Sequence, residues 1–175
     1  DSSISSYTWN EVEHFSEYDV VNNSWGVKYN FFYDNFLTYI WDWDAANLEN
    51  AVSLGRNGLG TSVVFSAGND RVIGGDTSLS DNVNYHNFQS SRYTIAVAAT
   101  NEDSEYAYFS TPGAALLVTA PGTSIYSTDV GNSYYYSQGT SFSAPIVTGI
   151  IALMLEANPN LGYRDVQEIL AYSSV

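Results

Sequence analysis

An α/β domain built on a mainly parallel sheet is what this sequence predicts, and two observations carry that expectation. Short apolar runs recur, at Val20-Val21, at 62–67 with Val63, Val64 and Phe65 in succession, and at 93–99. Strands buried on both faces, as parallel strands are, read as continuous runs rather than as alternating ones. Between the runs lie stretches of helical periodicity, the crossovers that parallel strands require. No internal repeat offers a competing architecture.

Taken in order, the first run ends in Asn22-Asn23, polar residues that close a buried strand. Residues 44–57 follow as the crossover helix: Leu48, Ala51, Val52 and Gly55 fall at helical spacing, with Asp44 at the start and Gly58 beyond the end. Upstream, 9–17 reads as a helix with His14 on its surface. The aromatic segment 31–43, interleaved with Asp34 and Asp42, is expected to pack as an insertion. Residues 74–84, rich in Gly, Ser, Asp and Asn, read as a surface loop. The stretch 143–157 is apolar on every side, through Ile146, Val147, Ile150, Ile151, Leu153, Met154 and Leu155, which predicts a central helix enclosed by protein. Pro145 suits its first turn, where the missing N–H has no partner to lose. Asn158-Pro159 stops that helix, and Val166, Ile169 and Leu170 mark a shorter amphipathic one.

The 175 residues fit one domain, and 45% hydrophobic content is enough for a substantial core. Nineteen acidic against five basic residues give a formal charge of −14, which argues against nucleic acid or an anionic membrane surface as partner and suits solubility in a salty or extracellular setting. With no cysteine, there is neither a disulfide framework nor a thiolate metal site. No run reaches the roughly 20 apolar residues of a bilayer span, and the polar start Asp1-Ser2-Ser3 lacks the regions of a signal peptide, so the expectation is a soluble protein or a leader lying elsewhere.

Gly139-Thr140-Ser141-Phe142-Ser143-Ala144-Pro145 puts a serine where a helix begins, among backbone N–H groups that favour developing negative charge. By position alone Ser141 reads as a helix cap. Other segments change that reading. The run Gly139-Thr140-Ser141-x-Ser143-Ala144-Pro145 resembles the nucleophile motif of the subtilisin-like serine proteases (subtilases), and three further blocks occur in that family's order. Asn23-Ser24-Trp25-Gly26 resembles the strand that pairs with the substrate backbone, Ser66-Ala67-Gly68-Asn69 the oxyanion and S1 segment, and Ala120-Pro121-Gly122 the turn before the serine region. The likeness runs from about residue 18 to 173, and Asp81-Asn82-Val83-Asn84-Tyr85 with Tyr163-Arg164-Asp165-Val166-Gln167 point to the kexin/furin-like branch. His86 stands where that branch has an S1 aspartate, and Tyr29 and Thr111 where it has calcium carboxylates, so neither dibasic specificity nor that calcium site carries over.

The resemblance implies a subtilisin-like three-layer fold, here incomplete, as a single partial catalytic domain over 1–175. Ser141 would attack a peptide carbonyl while Asn69 donates to the oxyanion, with Ser24, Trp25, Gly26, Ser66, Ala67, Gly68 and His86 contacting substrate. The family's aspartate and histidine blocks precede the substrate-binding strand and have no counterpart in this sequence; neither His14 nor His86 sits in a His-Gly-Thr-His-like setting. The chain alone is therefore expected to be inert as a peptidase, with the other half of the domain, or self-association across an exposed sheet edge, completing it. The expected partner is otherwise a polypeptide substrate, and the expected location is extracellular or at the cell surface. The chemistry requires no cofactor, and no residue is assigned as a metal ligand. Asp70, Asp76 and Asp81 border a loop where calcium could bind, although solvated carboxylates are the simpler reading. Two alternatives remain: an α/β-hydrolase esterase, for which 139–143 lacks the final glycine of Gly-x-Ser-x-Gly, and a non-catalytic peptide-binding module on a degenerate protease fold.

Overall fold

The computed structural model describes residues 12–26, 36, 42–71 and 80–174. Four strands, β1 (Val20–Asn23), β2 (Ser62–Ser66), β3 (Thr94–Thr100) and β4 (Leu116–Pro121), pair in that order and every pair is parallel. β2 is buried along its whole length and β3 along all but its last residue, which is why both read as unbroken apolar runs. β4 was not expected. Ala120-Pro121, read from the sequence as a turn, closes this strand instead. Within β4 only Val118 and Ala120 are buried, the alternation of a half-covered edge strand, where a terminal proline is tolerated.

Successive residues of β2 point to opposite faces, and each face has its own helical layer. Val63 and Phe65 meet Phe15, Phe88, and Leu48 and Ala51 of α1 (Asp42–Leu54). Val64, with Ile95, Val97 and Val118 from the neighbouring strands, meets Ala144, Val147, Ile151 and Leu155 of α2 (Thr140–Ala157) and Val166 and Leu170 of α3 (Tyr163–Ser173). Each valine, leucine, isoleucine or phenylalanine so buried contributes roughly 1.5–3 kcal/mol. This is the α/β arrangement that the sequence predicts, in the three layers that the resemblance implies.

Several boundaries differ from expectation. α1 ends at Leu54, three residues early, because a 3-10 turn over Gly55–Gly58 interrupts it, with Arg56 and Asn57 left-handed (φ 51° and 57°). That turn swings the Arg56 guanidinium onto the carbonyls of Pro159 (2.8 Å) and Leu161 (2.7 Å), with Asp19 at 3.3 Å, so the end of α1 is tied to the α2–α3 connection. Asp44 does not project from the start of α1 but is buried, and desolvation lifts its carboxyl to about 7. Of the helix expected over 9–17, only Val12 is helical among the described residues; a 3-10 turn at Phe15–Glu17 follows. The aromatic segment 31–43 lies almost wholly outside the described residues, as do Tyr29 and Asp76.

α2 begins three residues before the expected start, which moves Pro145 from the first turn into the second. Nor is α2 enclosed: Ile146, Ile150 and Leu153 are 37, 45 and 66% exposed. At 18 residues and mean hydropathy 1.5 it has the length and composition of a bilayer span, against the sequence expectation, yet its other side packs on β1 to β4. A second unexpected element is an antiparallel hairpin, β5 (Ile125–Asp129) with β6 (Ser133–Ser137), whose Tyr126, Tyr134, Tyr135 and Tyr136 are exposed. The described part of the loop expected over 74–84 is not a surface loop, because Asp81 and Val83 are buried there.

Candidate active site

Parallel strands deliver their loops to one end of the sheet, and a cleft opens at the carboxyl ends of β1 and β2. The cleft, about 390 Å³, is lined by Ser24, Trp25 and Gly26 after β1, by Ser66, Ala67, Gly68, Asn69 and Asp70 at and after β2, and by Asp81, His86, Gln89, Thr140 and Ser141. All nine residues singled out from the sequence thus share one concavity, although up to 117 positions separate them in the chain.

Ser141 occupies the second position of α2, so its backbone N–H lies in the first turn, where no intrahelical acceptor exists. Two glycines bring it there. Gly139, the residue before the helix, holds φ 147° and ψ 154°, a conformation nearly exclusive to glycine. Gly122, just past β4, donates to Thr100 (3.0 Å) and accepts from Gly139 N (2.8 Å). A Cβ on Gly122 would fall 2.5 Å from both Ala99 Cβ and Ser143 Oγ, so only glycine allows this approach. Ser143 adds a bond to the Pro121 carbonyl (3.1 Å).

Thr140 then couples the helix to Asn69. Its backbone N–H (2.9 Å) and its hydroxyl (3.0 Å) both donate to Asn69 Oδ1, and the same hydroxyl accepts from Gly68 N (3.1 Å). With Oδ1 committed to the residue beside Ser141, the Asn69 amide presents Nδ2 as its donor end. Carboxamide N and O are told apart by such networks, and here two donors aimed at one atom identify it as the oxygen.

Across the cleft, Ser24 Oγ donates to the Ser141 carbonyl (3.0 Å). That carbonyl is available because Pro145, four residues on, has no N–H to offer it. Trp25 is held by an indole bond to Asn23 Oδ1 (3.0 Å) and by edge-on contacts with Phe65 and Phe88, each 5.2 Å between centroids. Asn23 is itself buried and donates to the Val64 carbonyl (3.1 Å). Gln89, which sequence reasoning did not single out, is buried in the wall and donates to the Ser66 carbonyl (3.2 Å).

Acidic groups gather in the same cleft. His86 Nε2 lies 2.5 Å from Asp81 Oδ2, and both side chains are more than nine-tenths buried. Asp81 Oδ1 accepts from Asn82 N (2.7 Å). Asp81 is thus a buried, hydrogen-bonded carboxylate rather than a solvated one. Asp70 is pushed above the usual carboxylate range, first by burial and then by the charge of Asp81, with His86 acting in the opposite direction. Thr111 is wholly buried and braces the segment, accepting from Asp70 N (3.0 Å) and donating its own N–H to the Gly68 carbonyl (3.0 Å). Among the described residues no cluster of three metal-ligating side chains occurs.

Neither described imidazole is bonded to Ser141. His86 is bonded to Asp81, and His14 lies more than half exposed on Glu17 (2.7 Å), whose hydrogen bond and charge raise its pKa. The cleft therefore holds a serine at a helix start and an amide donor beside it, with two chain segments opposite.

The profile of the Subtilase family matches residues 2–174. Kexin from Saccharomyces cerevisiae is 36% identical over 133 residues, covering 73% of this chain and 16% of kexin; proprotein convertase subtilisin/kexin type 7 from Mus musculus is 34% identical over 142 residues, covering 74% and 18%. Among solved structures, a protease from Pseudoalteromonas arctica superposes with a TM-score of 0.75 at 25% identity, over 95% of this chain and 51% of that one. A cold-adapted subtilisin-like serine proteinase gives 0.71 at 20% identity, over 94% and 52%. The chain thus spans about half of the solved structures it matches and under a quarter of these curated relatives.

Proposed function

This chain belongs to the subtilase family, and from that premise we propose that it supplies the nucleophile, the oxyanion donors and the substrate-binding segments of a serine endopeptidase. In this reading Ser141 Oγ attacks the peptide carbonyl carbon as its proton passes to an imidazole. The carbonyl oxygen takes the negative charge and is met by Asn69 Nδ2 and by the backbone N–H of Ser141. The imidazolium returns its proton to the departing amine, and water repeats the sequence on the acyl-serine. The observation that supports the proposal most is the double donation from Thr140 to Asn69 Oδ1, which leaves Nδ2 as the donor end of an amide lining the same cleft as Ser141. Ser24-Trp25-Gly26 and Ser66-Ala67-Gly68 flank the bound backbone, and His86 contributes to the pocket beyond them.

The imidazole and its aspartate come from a second segment of polypeptide, which also covers Ile146, Ile150 and Leu153 on α2. An unactivated serine hydroxyl is a weak nucleophile, so the chain without that segment is inert. The acidic surface fits an extracellular or cell-surface setting, and the chemistry calls on no cofactor.

A fluorophosphonate, which reacts only with an activated serine, tests this. The assembled protease should label at Ser141, and Ser141→Ala should lose the label together with turnover, by roughly 10⁴-fold or more. Labelling that persists in Ser141→Ala would remove Ser141 from the mechanism. One observation favours a second reading: no described imidazole reaches Ser141. A peptide-binding module on the same fold would hold peptide in the cleft while no preparation labels.

A further inference from the structure

Away from the cleft, we propose that Asn57 and Gly58 form a spontaneous modification site, where the Asn57 amide converts to aspartate or isoaspartate, and that the clamped Arg56 beside it gates the conversion. The pair Asn-Gly occurs once in the sequence, and both residues are exposed. Its ordinary role is conformational: Asn57 at φ 57° and Gly58 at φ 92° supply the consecutive left-handed residues that this turn requires. The same pair is reactive, because glycine places no Cβ beside its own nitrogen.

In the reaction the Gly58 backbone nitrogen attacks Asn57 Cγ. The new C–N bond closes a cyclic imide, and the C–NH₂ bond breaks as ammonia leaves with the proton of the attacking amide. Water then opens the imide at either carbonyl. Cleavage at Cγ gives aspartate with the main chain restored, whereas cleavage at the backbone carbonyl routes the chain through Cγ as isoaspartate. Either product puts a carboxylate into the groove that Asn57 lines together with Asp19 and Glu156, and isoaspartate adds an atom to the main chain within the turn. Both changes weaken the tie that Arg56 makes between the end of α1 and the α2–α3 connection.

The folded turn holds the reacting atoms apart. With Asn57 at ψ 37°, the Gly58 nitrogen stands nearly opposite Cβ about the Cα–C bond, whereas imide closure needs the two on the same side. Reaching that geometry turns the Asn57–Gly58 peptide over. It disrupts the bonds that close the turn, from Leu59 N to the Arg56 carbonyl (3.3 Å) and from Gly60 N to the Gly55 carbonyl (2.9 Å). Arg56 resists the movement. Its side chain is only 6% exposed, and its guanidinium donates to the Leu161 (2.7 Å) and Pro159 (2.8 Å) carbonyls outside the turn while lying 3.3 Å from Asp19. Charge-assisted bonds are the stronger class, so the residue beside Asn57 is firmly held. The reaction therefore proceeds from a locally opened turn, and its rate measures how often that turn opens.

The test needs only this chain and does not depend on the endopeptidase reading. Peptide mass spectrometry after incubation at mildly alkaline pH reads the conversion at residue 57, and isoaspartate methyltransferase labelling separates the two products. In denaturant the pair should react at its unconstrained rate, and in the folded chain on the order of 100-fold more slowly. Arg56→Met, which keeps an extended side chain but none of its bonds, should speed the folded-state reaction about tenfold. Val97→Ala, in the buried core of β3, controls for general loosening and should leave the rate unchanged although it lowers stability. Equal rates in folded and denatured chain, no conversion at residue 57 in denaturant, an unchanged rate in Arg56→Met, or the same acceleration in Val97→Ala would each overturn the proposal. If Arg56→Met does not fold, Arg56→Lys keeps the charge without the planar fork and should accelerate the reaction by a smaller factor; no acceleration there overturns the gate as well.

Discussion

The two ends of the comparison lie on one helix. At its amino end α2 is bonded to segments after β1, β2 and β4, through Ser141 to Ser24, Thr140 to Asn69 and Gly139 to Gly122. Along its outer face, one to three turns further on, Ile146, Ile150 and Leu153 are partly or mostly bare, although Val147 and Ile151 beside them are buried. Directional bonds within this chain set the position of Ser141, whereas the outer face of the helix, among the described residues, has no such bonds and is partly bare. In the proposed reading the reactive end is organised within this chain, and the segment that covers the bare face brings the imidazole. If that division holds, substitutions at the bonded end should act on rate, and substitutions on the bare face should act on assembly.

The largest effect is expected at Asn69. Asn69→Ala removes the donor meant for the oxyanion, which forms only after attack, so kcat should fall about 10²–10³-fold with KM little changed, a magnitude known from subtilisin, a member of the same family. A rise in KM at constant kcat would show the amide binding ground-state substrate instead, and the bonded end would lose its catalytic meaning.

A smaller effect belongs to the bare face. Leu153→Glu should leave the fold of this chain unchanged, because the side chain is 66% exposed, yet weaken association about 10- to 100-fold by placing a charge where roughly 1.5–3 kcal/mol of apolar burial belongs. Light scattering of this chain with the completing segment measures it. A stable, well-behaved monomer of the unmodified chain that ignores the completing segment would break the comparison on this side.

How far the sequence foretold both ends differs for physical reasons. β2 and β3 were legible because strands buried on both faces leave apolar runs, β1 by Val20-Val21 although that strand is only partly buried, and the nine residues singled out in the cleft were legible as motifs in family order. β4 was not, since its alternating burial gives a weak signal and Ala120-Pro121-Gly122 carries the marks of a turn. Nor was the β5–β6 hairpin, whose tyrosines face outward and leave no apolar stripe to detect. Apolar residues all round α2 were read as enclosure, but composition cannot tell whether the covering surface belongs to the same described chain. Contacts between distant residues were hidden altogether. Thr140 to Asn69 spans 71 positions, and Asp81, the partner of His86, lay inside a segment whose Gly, Ser, Asp and Asn content suggested only a loop.

The smallest effect tests how the bonded end is built. Ser24 Oγ reaches the Ser141 carbonyl at 3.0 Å, the atom that the N–H of residue 145 would take in an uninterrupted helix. Proline at 145 thus transfers the carbonyl from the helix to the segment after β1. Ser24→Ala should cost about 1 kcal/mol of stability in the unmodified background, read by denaturant unfolding. Pro145→Ala restores a backbone N–H, which can bond residue 141 within α2 and relieve Ser24 of that duty. In that background Ser24→Ala should cost nearly nothing, a coupling that contact between the two sites permits. Equal losses in both backgrounds would mean that the proline does not set the bond, and that the link between the nucleophile and the opposite wall of the cleft rests on Asn69 and Thr140 alone.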